Sequence, residues 1–594
     1  MKKYLLLVSA ISCIAYAEGI FPESSALEEV APGSPMLEFS VSVSNQNYKV
    51  PSFYAEYESN FLFSSNFDDD DSIRSNVYIT LRECIAHGLE QNLGLTIDRY
   101  NPLIEKEGIR LEKSVFDPQF YGLARWSESK TPRPYYKQVH DGYYYFQDRL
   151  TNTHRGSIYR NKTAIGNTET ERTELEGRIT GKFITGLEYS FGMSQSRTWT
   201  ENSGGIFNPY YNTLAEGSIK IPLLKGFGLG VNLAPLRIAK NNWRIATANF
   251  DEAIQTLIMD IVITYWSLYY YKEDVSAKEY ALNLAYELLK VNEAKVKVGM
   301  AAPLTVTEAK ASIARQEEEL LVSKNLVHNT EDDLRTIINY KMEELFQPKV
   351  FRKIKYYLVP SEKPRVIDLK LDEAECIVGA VNNRQVMKIA ELQLRNAREN
   401  LKVAKNNLFP EVNFLGSLGY SGLGGNAGNA YDDQYTAQHP SWSLGVEVSF
   451  PIFYNEPVAT YRRAKYHQRQ TKISIKKTKH FVAMDVRKAI RQVETNRKRI
   501  NATREYTKLA AEQLEAEQEK YKVGQSTTFR VLEYQDVFAS ALSQEIRTLT
   551  EWRVSVAALY KSTGKILEKN NILVDDYNKT EEEKNPGLSN LIWR

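Results

Sequence analysis

The stretch Trp442-Ser443-Leu444-Gly445-Val446-Glu447-Val448-Ser449-Phe450 alternates apolar with small or polar residues, and after Pro457 no proline or glycine interrupts the chain through Val523. A period of two therefore gives way to a helix of unusual length. At about 1.5 Å per residue that helix would run roughly 100 Å. No compact domain needs such a span, whereas a device crossing an aqueous compartment does. The alternating stretch suits a barrel strand facing a bilayer, apolar outside and polar inside with aromatics near its ends. A half-buried sandwich strand shares the alternation.

The pattern occurs twice. Leu187, Tyr189, Phe191 and Met193 alternate with Glu188, Ser190 and Gly192, and from Asn232 to Val298 the only helix breaker is Pro235, in the first turn, where proline is tolerated. Val412, Phe414, Gly416, Leu418 and Tyr420 form a weaker run after Pro410. Leu81-Arg82-Glu83-Cys84-Ile85 is answered by Glu373-Ala374-Glu375-Cys376-Ile377, and Lys295-Val296-Lys297-Val298-Gly299 by Lys520-Tyr521-Lys522-Val523-Gly524. Thr80 and Glu83 have capping-box spacing, while Pro118 and Pro410 stop the two opening helices. A repeat on this scale sets the architecture before any motif is interpreted. The first copy covers 76–345, with strands at about 116–224, a long helix at about 232–298, a turn at Gly299 and a return helix. The second covers 371–567, with strands at about 411–453, a long helix at about 457–523 and a turn at Gly524. Residues 346–370 connect the copies. The first copy carries extra strand-like sequence between Trp126 and Leu214.

Lys2 and Lys3 precede an apolar run from Tyr4 to Ile14 and then Ala15-Tyr16-Ala17. That is an export signal over 1–17, with cleavage expected after Ala17; acylation at Cys13 is the rival. Residues 18–75, Ser/Pro/Glu-rich and ending near Asp68-Asp69-Asp70-Asp71, are expected to form an extended arm, and 568–594 a tail. Ile254 to Tyr271 carries Gln255, Asp260 and several tyrosines, so it is expected as a buried core helix and not a membrane span. If the chain spans a membrane, it must do so as a closed β-barrel.

Composition narrows the function classes. Among 594 residues, 76 Lys+Arg balance 74 Asp+Glu at a formal +2, which argues against nucleic acid as a partner. Mean hydropathy of −0.44 excludes a polytopic helical membrane protein. Three Cys and seven His, without metal-ligand spacing, point to no metal site, and no nucleophile–base pair marks an enzyme. No cofactor is expected. The Gly-rich run Gly422 to Gly428 reads as a hairpin loop, since no Gly-Lys-Ser/Thr follows it. Cys84 and Cys376, at matching repeat positions, read as small buried hydrophobes.

The export signal, the doubled helix–strand–long-helix–turn–helix order, and Tyr521-Lys522-Val523-Gly524 leading into Val531-Leu532 resemble the TolC-like outer-membrane efflux family. Val298-Gly299 leading into Val306-Thr307-Glu308, and Leu223-Leu224-Lys225-Gly226-Phe227-Gly228, resemble it too. The resemblance implies an α+β membrane protein: a homotrimer forming one outer-membrane β-barrel, set among outer-membrane lipid and continued by a periplasmic α-helical barrel. It implies a passive exit duct for tripartite efflux or type I secretion, docking with a periplasmic adaptor and an inner-membrane pump of RND or ABC type. The other reading is an exported coiled-coil adhesin or periplasmic spacer, which would not need period-two strands in both halves.

On this resemblance Val298, Gly299, Val523 and Gly524 form the adaptor-docking tips. The bland reading of each glycine is a helix stop. The family's acidic gate positions, six and nine after the tip glycine, fall on Arg530 and Glu533, and in the first copy on Thr305 and Glu308. Arg530 departs from the acidic pattern. Arg530 and Glu533 are spaced to pair on one helix face. Arg462, Lys465, Arg469, Lys472, Lys476 and Lys479 form a stripe along one helix face, either solvated outside or lining a lumen that would attract anions.

Overall fold

Thr80 opens the first helix as its sequence requires. Its hydroxyl accepts from the Glu83 backbone N–H at 3.2 Å, and the Glu83 carboxylate accepts from the Thr80 N–H at 2.8 Å. In a computed structural model, the structure describes residues 74–146, 154–201, 205–342, 355–369, 371–570 and 572. The export signal at 1–17, Cys13, the arm up to residue 73, residues 346–354 and the tail from 573 lie outside the described residues.

Each repeat opens with two helices where the sequence suggested one. α1 (Leu81–Gln91) and α2 (Leu93–Ser114) meet at Asn92, whose side chain caps α2 by accepting from the Leu95 N–H at 2.8 Å. α6 (Glu373–Asn383) and α7 (Gln385–Asn406) meet at Arg384, anchored to Asp485 at 2.7 Å. Both break residues are extended, with ψ of 119° and 134°, which ends one helix and restarts the next at an angle.

The long helices are α4 (Ala234–Lys297) and α9 (Asn455–Lys522), returning as α5 (Pro303–Ile338) and α10 (Thr528–Ser562). A short α3 (Leu229–Asn232) leads into α4, and α11 (Ile566–Lys569) follows α10. The middle of α4 buries Ile258, Ile261, Val262, Tyr265, Trp266 and Leu268. A second core joins Met387 of α7, Val482, Val486, Ile490 and Val493 of α9, and Trp552, Val556 and Leu559 of α10. No helix among the described residues is long and apolar enough to cross a membrane.

Two strands depart from the expected order. β1 (Arg74–Ile79) begins inside the stretch assigned to the arm, and it pairs in parallel with β6 (Lys355–Pro360) from the segment between the repeats. Tyr265 fastens this pair to α4: its hydroxyl donates to the Ile79 carbonyl and accepts from the Glu362 N–H, both at 3.2 Å.

The remaining strands form one antiparallel sheet: β2 (Gln119–Phe146), β3 (His154–Lys182), β4 (Glu188–Thr200), β5 (Tyr210–Pro222), β7 (Glu411–Gly424) and β8 (Pro440–Ser449), in that spatial order. The extra sequence of the first copy is thus resolved into β2 and β3. These two continue pairing to Phe146 and His154, beyond the last β3–β4 pair at Thr170 and Thr200. Register puts Phe120, Ile179, Phe191, Gly217, Leu418 and Trp442 in one row, and Ala124, Leu175, Met193, Ile219, Leu444 and Val446 lie on the same face in other rows. The opposite face carries Arg125–Glu174 at 3.6 Å, Lys182–Glu188 at 3.7 Å and Lys220 between Glu411 and Glu447. From the row of Trp126, Thr173 and Arg197 onward the first face bears charge too, with Arg197 3.7 Å from Glu171 and Lys130 3.5 Å from Glu169. Below that row the sheet is a band apolar on one face and ionic on the other, the division a water-filled membrane barrel requires.

The Gly422 to Gly428 run is not a plain loop. It spans the end of β7 and the start of α8 (Ala427–Tyr435), and a Cβ at Gly422 would run into the Ala430 carbonyl. The helix lies on the sheet there, held by the Thr213 hydroxyl donating to the Ala430 carbonyl at 3.1 Å.

The two faces of β8 respond differently to charge. Val446→Arg puts a guanidinium on the apolar face, at a cost of about 2–4 kcal/mol at mid-bilayer depth. Loss of the folded, heat-modifiable species from membranes is the expected result. Ser443→Arg, on the ionic face, keeps that species on the same gel.

Candidate functional site

Both hairpins end in the same backbone motif. The N–H of Gly299 donates to the Val296 carbonyl at 3.0 Å and that of Met300 to Lys295 at 2.8 Å; Gly524 donates to Tyr521 at 3.2 Å and Gln525 to Lys520 at 2.8 Å. These paired bonds close a helix through a left-handed residue, and the glycines sit at φ 79° and 83°. Basic residues crowd the last turns, Lys295 and Lys297 in α4, Lys520 and Lys522 in α9, where the helix dipole favours them.

The tips present apolar side chains to water. Val298 is 68% exposed and Val523 71%, beside Met300 at 81%. Leu304 and Phe529, on the first turns of the return helices, are also exposed. Sequence reading picked out the two valines and missed Met300, Leu304 and Phe529, because hydrophobicity near a turn does not by itself announce exposure.

A clasp behind the tips joins the two hairpins. Tyr521 is buried with Leu288, Val531 and Leu532. Its hydroxyl contacts the Asn292 carboxamide oxygen and lies 3.2 Å from the Thr528 hydroxyl. The Lys295 ammonium stands 3.6 Å from the Tyr521 ring centroid and donates to the Tyr521 carbonyl at 2.9 Å. Asn292 in turn donates to the Thr305 carbonyl at 3.2 Å, tying α4 to α5. The matched stretches hinted at this, since Val296 stands in the first copy where Tyr521 stands in the second. Asn292 and Lys295 could not be read as its partners, because they come from the other repeat.

The four positions expected at the gate stand in the opening turns of the return helices. Thr305 and Glu308 are half-buried on α5; Arg530 and Glu533 are exposed on α10. The ion pair suggested by the spacing of Arg530 and Glu533 does not form. Arg530 instead lends its charge to Glu517, a buried carboxylate that accepts from the Ser526 hydroxyl and, at 3.3 Å, from Lys520. The Ser526 bond foremost, with Lys520 and Arg530 behind it, holds the Glu517 carboxyl below its usual range.

Of the basic stripe on α9, Arg462, Arg469, Lys472, Lys476 and Lys479 are exposed and Lys465 is half-buried. None pairs with a carboxylate among the described residues. Cys84 and Cys376 are both free, and burial pushes the Cys84 thiol up to about 12.

Two outcomes follow at the tips. A Cβ at Gly299 or Gly524 meets open space, so Gly299→Val or Gly524→Val is strained only by positive φ, roughly 1–2 kcal/mol each. Membrane assembly should survive while the tips become protease-sensitive, and Asn at either site should restore resistance. Because the Glu517 carboxyl is lowered in the fold, its stabilisation is complete above the unfolded value of about 4.3 and is lost as pH falls through the folded one. Hydrogen exchange at the second tip should therefore speed up on acidification, and Glu517→Gln should flatten that response.

The model of the outer membrane efflux protein family matches residues 187–340 and 377–565, more than half of the chain. Outer membrane protein TolC of Escherichia coli is 24% identical over 287 residues, 47% of this chain and 55% of TolC. Pyoverdine export outer membrane protein OpmQ of Pseudomonas aeruginosa is 21% identical over 311 residues, 52% of this chain and 61% of OpmQ. The chain thus spans about half the length of the curated relatives it matches. The CmeC outer membrane channel of Campylobacter jejuni shares the fold at a TM-score of 0.58 and 16% identity, covering 92% of this chain and 99% of CmeC. The outer-membrane channel OprN does so at 0.58 and 16%, covering 88% and 99%. The chain belongs to the outer membrane efflux protein family, and its place is the outer membrane, extending into the periplasm.

Proposed function

We propose that three copies of this chain form a passive exit duct for tripartite efflux or type I secretion. In this reading the sheet lines a pore through the outer membrane, and the helices extend the duct across the periplasm. The observation that carries it is a single sheet with a band apolar on one face and ionic on the other, continued into two long helical hairpins of matching reach. A coiled-coil spacer has no use for such a sheet.

The exposed apolar tips, Val298 and Met300 on one hairpin and Val523 and Phe529 on the other, are the surface a periplasmic adaptor would cover. Glycine turns fix their direction, and the Tyr521 clasp fixes their spacing. An inner-membrane pump of RND or ABC type, reached through that adaptor, supplies the energy. Along α9 the basic stripe stays in water; turned to the lumen, it would concentrate anions.

The gate proposal concerns charge. Glu308, Glu533 and Arg530 leave a weaker negative ring than an all-acidic constriction would carry. Single-channel recordings should show little block by multivalent cations, and marked block once Arg530 is changed to Asp. Strong block of the unmodified channel, or none after the substitution, would remove these residues from the constriction. Failure of the chain to conduct at all would remove the duct.

A further inference from the structure

The sheet has two open edges among the described residues, β2 on one side and β8 on the other. β4 has none to offer, since it pairs with β3 from Lys182 to Thr170 and with β5 from Lys220 to Tyr210. β8 is bonded only to β7, so one whole side of Pro440–Ser449 presents unpaired backbone groups. Its length is about what a tilted strand needs to cross hydrocarbon, where each unpaired group costs several kcal/mol. An open sheet cannot stay in that medium.

Resting on the trimeric duct reading, we propose that β8 of one protomer pairs antiparallel with β2 of the next. The β2–β3 hairpin then belongs to the membrane wall and is not an appendage to it. Three six-stranded sheets close a barrel of roughly eighteen strands, whereas β4, β5, β7 and β8 alone would close roughly twelve. Diameter grows about linearly with strand number, so the barrel is roughly one and a half times as wide as the four-strand closure allows. Both added strands precede residue 187, where the match to the family begins.

Direction and chemistry agree. β8 runs toward the helices that follow it, and β2 runs away from the helix that precedes it, as antiparallel pairing requires. Phe120, Ala124 and Trp126 of β2 lie on the same face as Trp442, Leu444 and Val446 of β8, so the apolar band continues around the seam.

The helices attached to these strands are unpartnered on matching stretches. α2, which leads into β2, exposes Leu93, Ile97, Tyr100, Ile104 and Leu111 at helical spacing. α9, which follows β8, exposes Tyr466, Ile473 and Met484. Both stretches cover about 27 Å of helix. A seam that pairs β8 with β2 brings those two stripes together beneath it, and the same second copy covers both.

Disulfide trapping in outer membranes carrying the full chain tests the closure. Cysteine is placed at Ser443 on β8 and, one at a time, at every second residue from Gln119 to Thr131 on β2. A parallel set joins Ser443→Cys to every second residue from Glu188 to Thr200 on β4. Single-cysteine parents account for Cys84 and Cys376. On oxidation, at least one β8–β2 pair should give dimer and trimer ladders, and no β8–β4 pair should. Ladders from β4, or a native-gel trimer without any β8–β2 crosslink, would overturn the six-strand closure while leaving the duct intact. A monomer on the native gel would overturn the trimer on which the inference rests.

Discussion

Each repeat must turn a strand into a helix of more than sixty residues without stranding backbone polar groups at the edge of an apolar medium. At the first long helix, asparagines from both copies meet this. Asn406 accepts from the Gly226 N–H at 2.7 Å, and Asn232 donates to the Gly226 carbonyl at 2.7 Å and the Gly228 carbonyl at 3.1 Å. Gly228 donates to the Thr185 carbonyl at 2.9 Å and Leu223 to Val412 at 2.7 Å, so the β3–β4 turn, the β5 exit and the β7 entry share one joint. In the second copy the Tyr454 hydroxyl donates to the Leu408 carbonyl at 2.8 Å. These bonds set where each long helix starts, and with it the level at which each tip arrives.

Duplication supplied two similar halves, and the differences between them divide the work. The second tip carries the anchoring tyrosine, and the first supplies Asn292 and Lys295 to hold it. At the far ends of the return helices the same bonding pattern recurs around Asn339 at φ 51° and Gly564 at φ 72°. Asparagine tolerates the left-handed region and glycine is indifferent to it, so the turn survived a change of residue. The sheet diverged most, with four strands from the first copy and two from the second.

What was legible in the residues was local. The alternation at Trp442–Phe450, the uninterrupted helices and the glycines past their ends each depend on neighbours in sequence, and each stands in the structure where its pattern lies. The breaks at Asn92 and Arg384 were hidden because neither residue is a strong helix breaker; partners across the fold, Ile337 and Asp485, hold them. The β1–β6 pair was invisible because its strands lie in different parts of the chain and acquire an address only when Tyr265 is in place. Arg530 could be assigned a helix face but not a surrounding, since spacing offered Glu533 while the fold leaves Arg530 exposed, with its charge felt at Glu517.

Helices this long face one more problem, which is register. A regular apolar seam can slide by a repeat and bury nearly the same surface, so apolar packing alone specifies position weakly. The walls here contain polar pins. Asp274, buried on α4, accepts from Ser323 of α5 at 2.9 Å, contacts Ser543 of α10, and lies 3.4 Å from Lys278, whose ammonium also bonds Ser323 at 2.6 Å. In the second hairpin, Asn496 of α9 donates to the Glu551 carbonyl of α10 at 3.3 Å, and Arg499 pairs with the Glu551 carboxylate at 2.7 Å. Sliding the first hairpin would strand the buried Asp274 carboxylate at a cost of about 3–5 kcal/mol, and sliding the second would leave the buried Asn496 amide without its partner at a cost of about 1–3 kcal/mol. Those penalties exceed what one shifted apolar layer recovers, so these few polar contacts, more than the long seams beside them, hold the tips at a common height.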